Sequence, residues 1–329
     1  MRVRQVACVS RGMAGKRLVD MTELAEAGAV AFSDDGMPVM NSELMRRALE
    51  YATLTGLPIS PHCEDAHLTS GGMMHEGPVS WQLGLKGWPA IGEESMIARD
   101  LLLSLQTGGR LHLCHVTTVL GVELVRWAKD RGAPVTAEVM PHHLTMTDEW
   151  VAGRRWDGMS AVPYDTSTKV NPPLRSEEDR RALVEGLKDG TLDLVATDHA
   201  PHAAPDKICE FGLAASGISG FETALSALLR LVHAGELDMS LVVSRLTADP
   251  ARAYGLQAGR LRVGDAGDVT VFDPSAGWTL EENKMYSKGK NTPLIGQRLV
   301  GKVVATAVAG KVVHGDERLV PRMPLGAGV

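Results

Sequence analysis

From the start of the chain to about Tyr254 one pattern repeats: a short apolar strand, a polar turn, an amphipathic helix, and the same again. Strands are expected over residues 3–9, 30–33, 57–62, 111–115, 135–140 and 192–197, each rich in β-branched or small apolar residues. Helical spacing of apolar residues marks 42–53, 93–105, 120–130, 177–188, 221–233 and 239–246, with Gly56, Gly132 and Gly190 punctuating helix ends. Strands apolar at almost every position are buried on both faces, as in a parallel sheet clothed by helices. The expected fold is therefore α/β, a (β/α)8 TIM-like barrel. A doubly wound open sheet is the alternative, but no glycine-rich phosphate loop follows the first strand.

After about Ala258 the chain changes to Gly-Asp turns and short strands over 268–273, 302–308 and 311–314. The division expected is a barrel unit over residues 1–257, a small β-sandwich portion over 258–319 and a disordered tail over 320–329.

Hydrophobic residues make up 44% of the 329 and charged residues 22%, the balance of a globular protein. No stretch is apolar for long enough to span a bilayer, and no signal-peptide core is visible, so a cytoplasmic location is expected. A net charge of −6 gives no reason to expect nucleic acid or anionic lipid. Cys8, Cys63, Cys114 and Cys209 form no CxxC pair and read as small buried hydrophobes.

The polar groups of interest all fall at or just beyond strand ends, where (β/α)8 barrels carry function. His62 and His115 each close an apolar strand, Asp34-Asp35-Gly36 ends another, and Asp198 opens Asp198-His-Ala-Pro-His202 after the sixth. One strand-end histidine is more often simply hydrogen-bonded, and Asp-Gly is a common turn pair. Two imidazoles and two carboxylates converging on one rim form a ligand set for zinc or a similar divalent ion. Zinc suits hydrolysis because it polarises a carbonyl and lowers the pKa of water to about 7.

Six segments carry a more specific likeness: Gly28-Ala-Val-Ala-Phe-Ser-Asp-Asp-Gly36, Pro61-His-Cys-Glu-Asp65, His115-Val-Thr-Thr118, Pro141-His-His-Leu144, Lys169-Val-Asn-Pro-Pro-Leu-Arg175 and Ala196-Thr-Asp-His-Ala-Pro-His202. In this order they resemble the motif set of type I dihydroorotases. Gly264-Asp-Ala-Gly-Asp-Val-Thr-Val-Phe-Asp273 is similar to a sandwich strand of many amidohydrolases. The resemblance implies reversible zinc-dependent hydrolysis of dihydroorotate to carbamoyl aspartate, the ring-closing step of pyrimidine synthesis. It implies that Asp35 bridges two zinc ions, that His62 and His115 complete the shell of one, and that Asp198 ligates the other and serves as general base and acid. Asn171 and His202 would contact the substrate, and the turn Gly217-Ile-Ser-Gly220 would offer backbone amides to the ring carbonyls. Dihydropyrimidinases and hydantoinases bridge their metals with a carboxylated lysine, and 30–36 contains none.

The same family opens with a β segment and a strand ending in His-x-His, and this sequence has no His-x-His. About two strands are expected to be absent, Met1 reads as an internal methionine, and one zinc rather than two is expected here. Two open barrel edges would make the chain aggregation-prone. A homodimer and association with aspartate transcarbamoylase are the assemblies the resemblance allows. The rival functions are a non-catalytic scaffold for aspartate transcarbamoylase and a relative acting on allantoin or a hydantoin.

Blander readings fall on other residues. His142 and His143 are expected on a strand in structural roles, and His112 faces away from His115. His67, His75, His233 and His314 read as solvated. Trp81 and Trp88 read as packing over the rim, and the loop 203–211 as a lid. Glu64 and Asp65 fit either a shell around the metal ligands or the start of a surface helix.

Overall fold

The computed structural model describes residues 2–158 and 161–315. Six parallel lanes lie side by side in chain order. Val6–Ala7 pairs with Ala31–Phe32, Phe32 with Ile59, Ile59 with Leu111, and Leu111–Leu113 with residues 135–137. Glu138 and Val139 then pair with Leu194 and Val195. Ala31, Phe32, Ile59, Leu113, Ala137 and Val139 are fully buried, because helices cover the outer face while the lanes enclose the inner one. This is the TIM-barrel type of layering. The array is not closed: among the described residues no pairing joins Leu194–Val195 back to Val6–Ala7. The lane expected over 57–62 narrows to the bridging residue Ile59, since Pro58 and Pro61 on either side lack the N–H a longer ladder needs.

Helices at the expected places hold these lanes. Ser42–Ala52 is started by Asn41, whose side chain accepts from the Glu43 and Leu44 N–H groups, and it buries Leu44, Met45, Ala48 and Leu49. Full burial of Leu49 alone contributes about 2 kcal/mol. Thr118 caps Val119–Asp130 through the Gly121 N–H, and Ser176 with Asp179 forms a capping box for Glu177–Asp189. Gly190 ends that helix in the left-handed region.

Several short elements carry no sequence signal. Met74–His75 pairs in parallel with Gly87–Trp88 around the helix Pro78–Leu83, and strands of two residues are too short to show alternation. His142 and His143 lie in the short helix Pro141–Thr145 rather than on a strand, with Pro141 at its first turn. His75 is not solvated: it is partly buried and meets Arg175 Nη1 at 3.2 Å. Trp81 is 73% exposed, whereas Trp88 is buried under the Arg175 guanidinium. Of the cysteines Cys63 alone is fully buried, and Cys209 is exposed.

The C-terminal part is one antiparallel sheet in which Arg298–Val308 lies between Val269–Thr279 and Lys311–Gly315. Only one layer of the expected sandwich is present among the described residues, and the tail 320–329 lies outside them. The sheet shares a core with the barrel: Met146, Trp150, Val170 and Leu174 pack with Leu280, Met285, Leu294 and Leu299.

Candidate metal centre

Neighbouring aspartates separate at the end of the second lane. Asp34 turns inward, where Oδ1 accepts from the Val9 and Ser10 N–H groups at 2.9 and 3.1 Å and Oδ2 accepts from the Ser10 hydroxyl. It thereby ties the first two lanes together. Asp35, held by its N–H donating to Ser33 Oγ at 2.9 Å, projects onto the rim with its side chain 52% exposed.

Three side chains from three lanes meet there. His62 Nδ1 and His115 Nε2 lie 2.9 Å apart, and each is 3.5 Å from Asp35 Oδ1. Among the described residues, this is the one trio of His, Cys, Asp or Glu whose ligand atoms all fall within 4.8 Å of one another. Both imidazoles are nearly buried. Their donor set fits a divalent ion: with bonds of about 2.1 Å, ligand atoms around a tetrahedral zinc stand about 3.4 Å apart. Burial opposes a charge on His62, but the Asp35 and Glu64 carboxylates outweigh it and raise the imidazolium pKa to about 9. Burial likewise works against the Asp35 carboxylate, yet His115 and His62 pull its pKa well below the usual range.

His115 and Asp198 adopt φ of 36° and 44°, in the left-handed region that non-glycine residues rarely visit. Backbone strain of this kind gathers where side chains must be aimed, and both residues sit at lane ends on the same rim. Asp198 stands outside the trio but within its field. Burial pushes its carboxyl above the ordinary range, Asp35 and Glu138 push the same way, and His115 and His62 oppose them.

Glu64 settles the question left open in the sequence. Its Oε2 accepts from His62 Nε2 at 2.7 Å and from Asn171 Nδ2 at 2.9 Å. Asp65 instead accepts from the His67 and Leu68 N–H groups and starts a surface turn. His112 faces away from the trio, bonded to Thr136 Oγ1 and Glu138 Oε2. His142 is buried, which lowers its pKa to about 3 with help from His115.

Beside the trio lies a cavity of about 190 Å³ walled by Glu64, Thr69, Gly72, Trp88, Lys169 and Asn171. A cleft of about 690 Å³ under the C-terminal sheet is larger; the trio lines neither, but the smaller one is joined to it through Glu64, which bonds His62, and chemistry rather than size selects it. His202 does not reach the trio; its Nε2 pairs with Ser216 O at 2.8 Å. The Gly217 N–H donates to Lys169 O and the Gly220 N–H to His199 Nδ1, so in this structure neither amide is free for a ring carbonyl. The segment 203–211 is fastened by Lys207, whose Nζ donates to Thr166 O and Ala215 O, and by buried Phe211. Asn291 had no motif to announce it, yet it accepts from the His202 N–H and donates to Ala200 O and Gly217 O.

Lanes that converge two imidazoles and a carboxylate on a barrel rim describe a class of metal-dependent hydrolases, and comparison agrees. The chain belongs to the amidohydrolase family, whose model matches residues 2–313. Its curated relatives include the dihydroorotase of Anaeromyxobacter sp. (strain K), 52% identical over 96% of this chain and 71% of that one. The dihydroorotase of Pelotomaculum thermopropionicum is 50% identical over 95% and 71%. Among solved structures, the L-hydantoinase (dihydropyrimidinase) from Arthrobacter aurescens superposes with a TM-score of 0.81 at 26% identity, over 95% of this chain and 70% of that one.

Proposed function

We propose that this chain acts as a dihydroorotase, hydrolysing the cyclic amide of dihydroorotate to carbamoyl aspartate and running the reverse, with zinc as its metal. The observation that carries the reading is the Asp35, His62 and His115 trio beside a small polar cavity, in a chain about half identical to dihydroorotases. Zinc bound there would polarise the amide carbonyl and make water acidic enough to attack at neutral pH. Asp35 Oδ1, His62 Nδ1 and His115 Nε2 would hold it. Asp198 takes the proton from the attacking water and delivers it to the ring nitrogen as the C–N bond breaks, and its raised pKa suits that exchange. Asn171, on the cavity wall, orients the ring. His202 contacts the substrate carboxylate after giving up Ser216 O.

The unit up to residue 257 carries this chemistry, and the described residues 258–315 form the β appendage. A second copy or aspartate transcarbamoylase is the partner tested by co-purification. The hydantoinase likeness supports a second reading, hydrolysis of another cyclic amide. Zinc content and turnover of dihydroorotate, hydantoin and allantoin decide between the two. The first expects at least one zinc per chain and dihydroorotate as the preferred substrate. Zinc retention with hydantoin preferred would establish the second, and an unchanged zinc content after Asp35→Asn and His115→Asn together would refute the metal centre.

A further inference from the structure

The ring of His62 has two nitrogens with different neighbours. Nδ1 faces His115 and Asp35, while Nε2 stands 2.7 Å from Glu64 Oε2. An ionised carboxylate only accepts, so Nε2 must carry the proton and donate it. The same oxygen accepts from Asn171 Nδ2 at 2.9 Å, which fixes that amide with its nitrogen toward Glu64. Asn171 Oδ1 is consequently turned the other way, buried and without a partner in the protein. The other carboxylate oxygen, Oε1, accepts from the Thr69 hydroxyl, which anchors Glu64 to the cavity wall.

We propose that Glu64 is a positioning residue that sets two orientations through one oxygen: the His62 tautomer with Nδ1 free for a metal, and the Asn171 amide with its acceptor free for a ligand N–H. A buried acceptor lacking a partner is costly unless something else supplies the donor. The cyclic amides under consideration carry such an N–H. The inference rests on the metal-centre reading and adds to it a link between the metal ligand and the cavity wall. With Glu64 absent, the His62 ring would lose its bias toward the Nε2-protonated form and Asn171 would be free to present either end.

The test pairs Glu64→Gln, which keeps an acceptor oxygen, with Glu64→Leu, which keeps bulk and removes both acceptors. Nitrogen NMR of 15N-histidine-labelled, metal-free chain, at about pH 10 where the His62 ring is neutral, reads its tautomer, and competition with a chromophoric chelator reads zinc affinity. The wild type should show Nε2-protonated His62. Leu should give mixed tautomers and a zinc affinity about 10- to 100-fold weaker, with Gln recovering most of the loss. For dihydroorotate, Leu should raise KM as well as lower kcat, because the amide no longer faces one way. Wild-type tautomer and zinc affinity in both variants would overturn the proposal. A wild-type chain that binds no zinc would instead overturn the metal centre itself. Should Leu fail to fold, a Gln variant with mixed tautomers or tenfold weaker zinc binding would overturn it, because Gln keeps the acceptor.

Discussion

Asp34 and Asp35 share a strand end, yet one is buried beneath two backbone N–H groups and a hydroxyl while the other projects from the rim. Their substitutions should therefore separate stability from chemistry. Asp34→Ala leaves the Val9 and Ser10 donors buried without an acceptor and should cost about 3 kcal/mol in denaturant unfolding. Asp35→Asn should keep the melting temperature of the metal-free chain within a few degrees and lose most of the bound zinc. Asp198→Asn should retain zinc and lower dihydroorotate turnover about 100-fold or more, which equilibrium metal analysis beside a rate assay can check. Alternation in the sequence placed both aspartates at the strand end, but it held nothing about which one would turn inward. That depends on Val9 and Ser10, which belong to a different lane. Glu64 was equally undecidable, because its partner Asn171 is 107 positions away.

A further residue carries a pH signature away from the rim. Burial, with Glu149 beside it, raises the Asp148 carboxyl to about 7. The folded chain then holds this proton more tightly than the unfolded chain, whose aspartates release it near 4. Between those values the folded state binds more protons, so this site's contribution to stability is present at low pH and lost as pH rises toward 7. Asp148→Asn should match the wild type near pH 4 and exceed it at pH 8, by at most the roughly 4 kcal/mol that a shift of this size represents, as read from melting curves.

Elements with many apolar positions and a cap were legible at once, and the helix Met239–Leu246 falls where its spacing put it. Elements set by contact rather than pattern were not. The strands of the C-terminal sheet run to eleven residues, well past the 268–273 and 302–308 expected, because pairing between Val269–Thr279 and Arg298–Val308 extends through irregular register. One contact there is unusually close. Gly301 has φ of 91°, and a Cβ on it would stand 2.1 Å from Leu229 Cδ1 on the helix Ala224–His233. Gly301 O also accepts from the Ser226 hydroxyl and the Trp278 indole. Gly301→Ala adds strain and a clash together and should destabilise by about 3 kcal/mol, measurable by urea unfolding.

At the scale of the whole molecule, the sheet and the barrel are bound by the core that Trp150 and Leu174 form with Leu280 and Leu299. A composition change at 258 reads as a boundary, but packing does not respect it. Far-ultraviolet circular dichroism and fluorescence of Trp278 should therefore report one coincident unfolding transition. Two separated midpoints would show that the shared core does not couple the units. The six lanes in order were legible because each is nearly all apolar. An open array was expected as well, from the absence of a His-x-His strand in the sequence.

Asn291 ties down the loop that carries Ala200, His202 and Gly217, although the lanes it serves end a hundred residues earlier. For a chain leaving the ribosome this fixes an order of events. Asp35, His62, His115 and Asp198 are all synthesised, and their lanes can pair, before the residue that pins the rim exists. The rim therefore takes its final shape only after the segment leading into the last strands has folded back, so maturation of the site waits on synthesis of Asn291 rather than on assembly of the barrel.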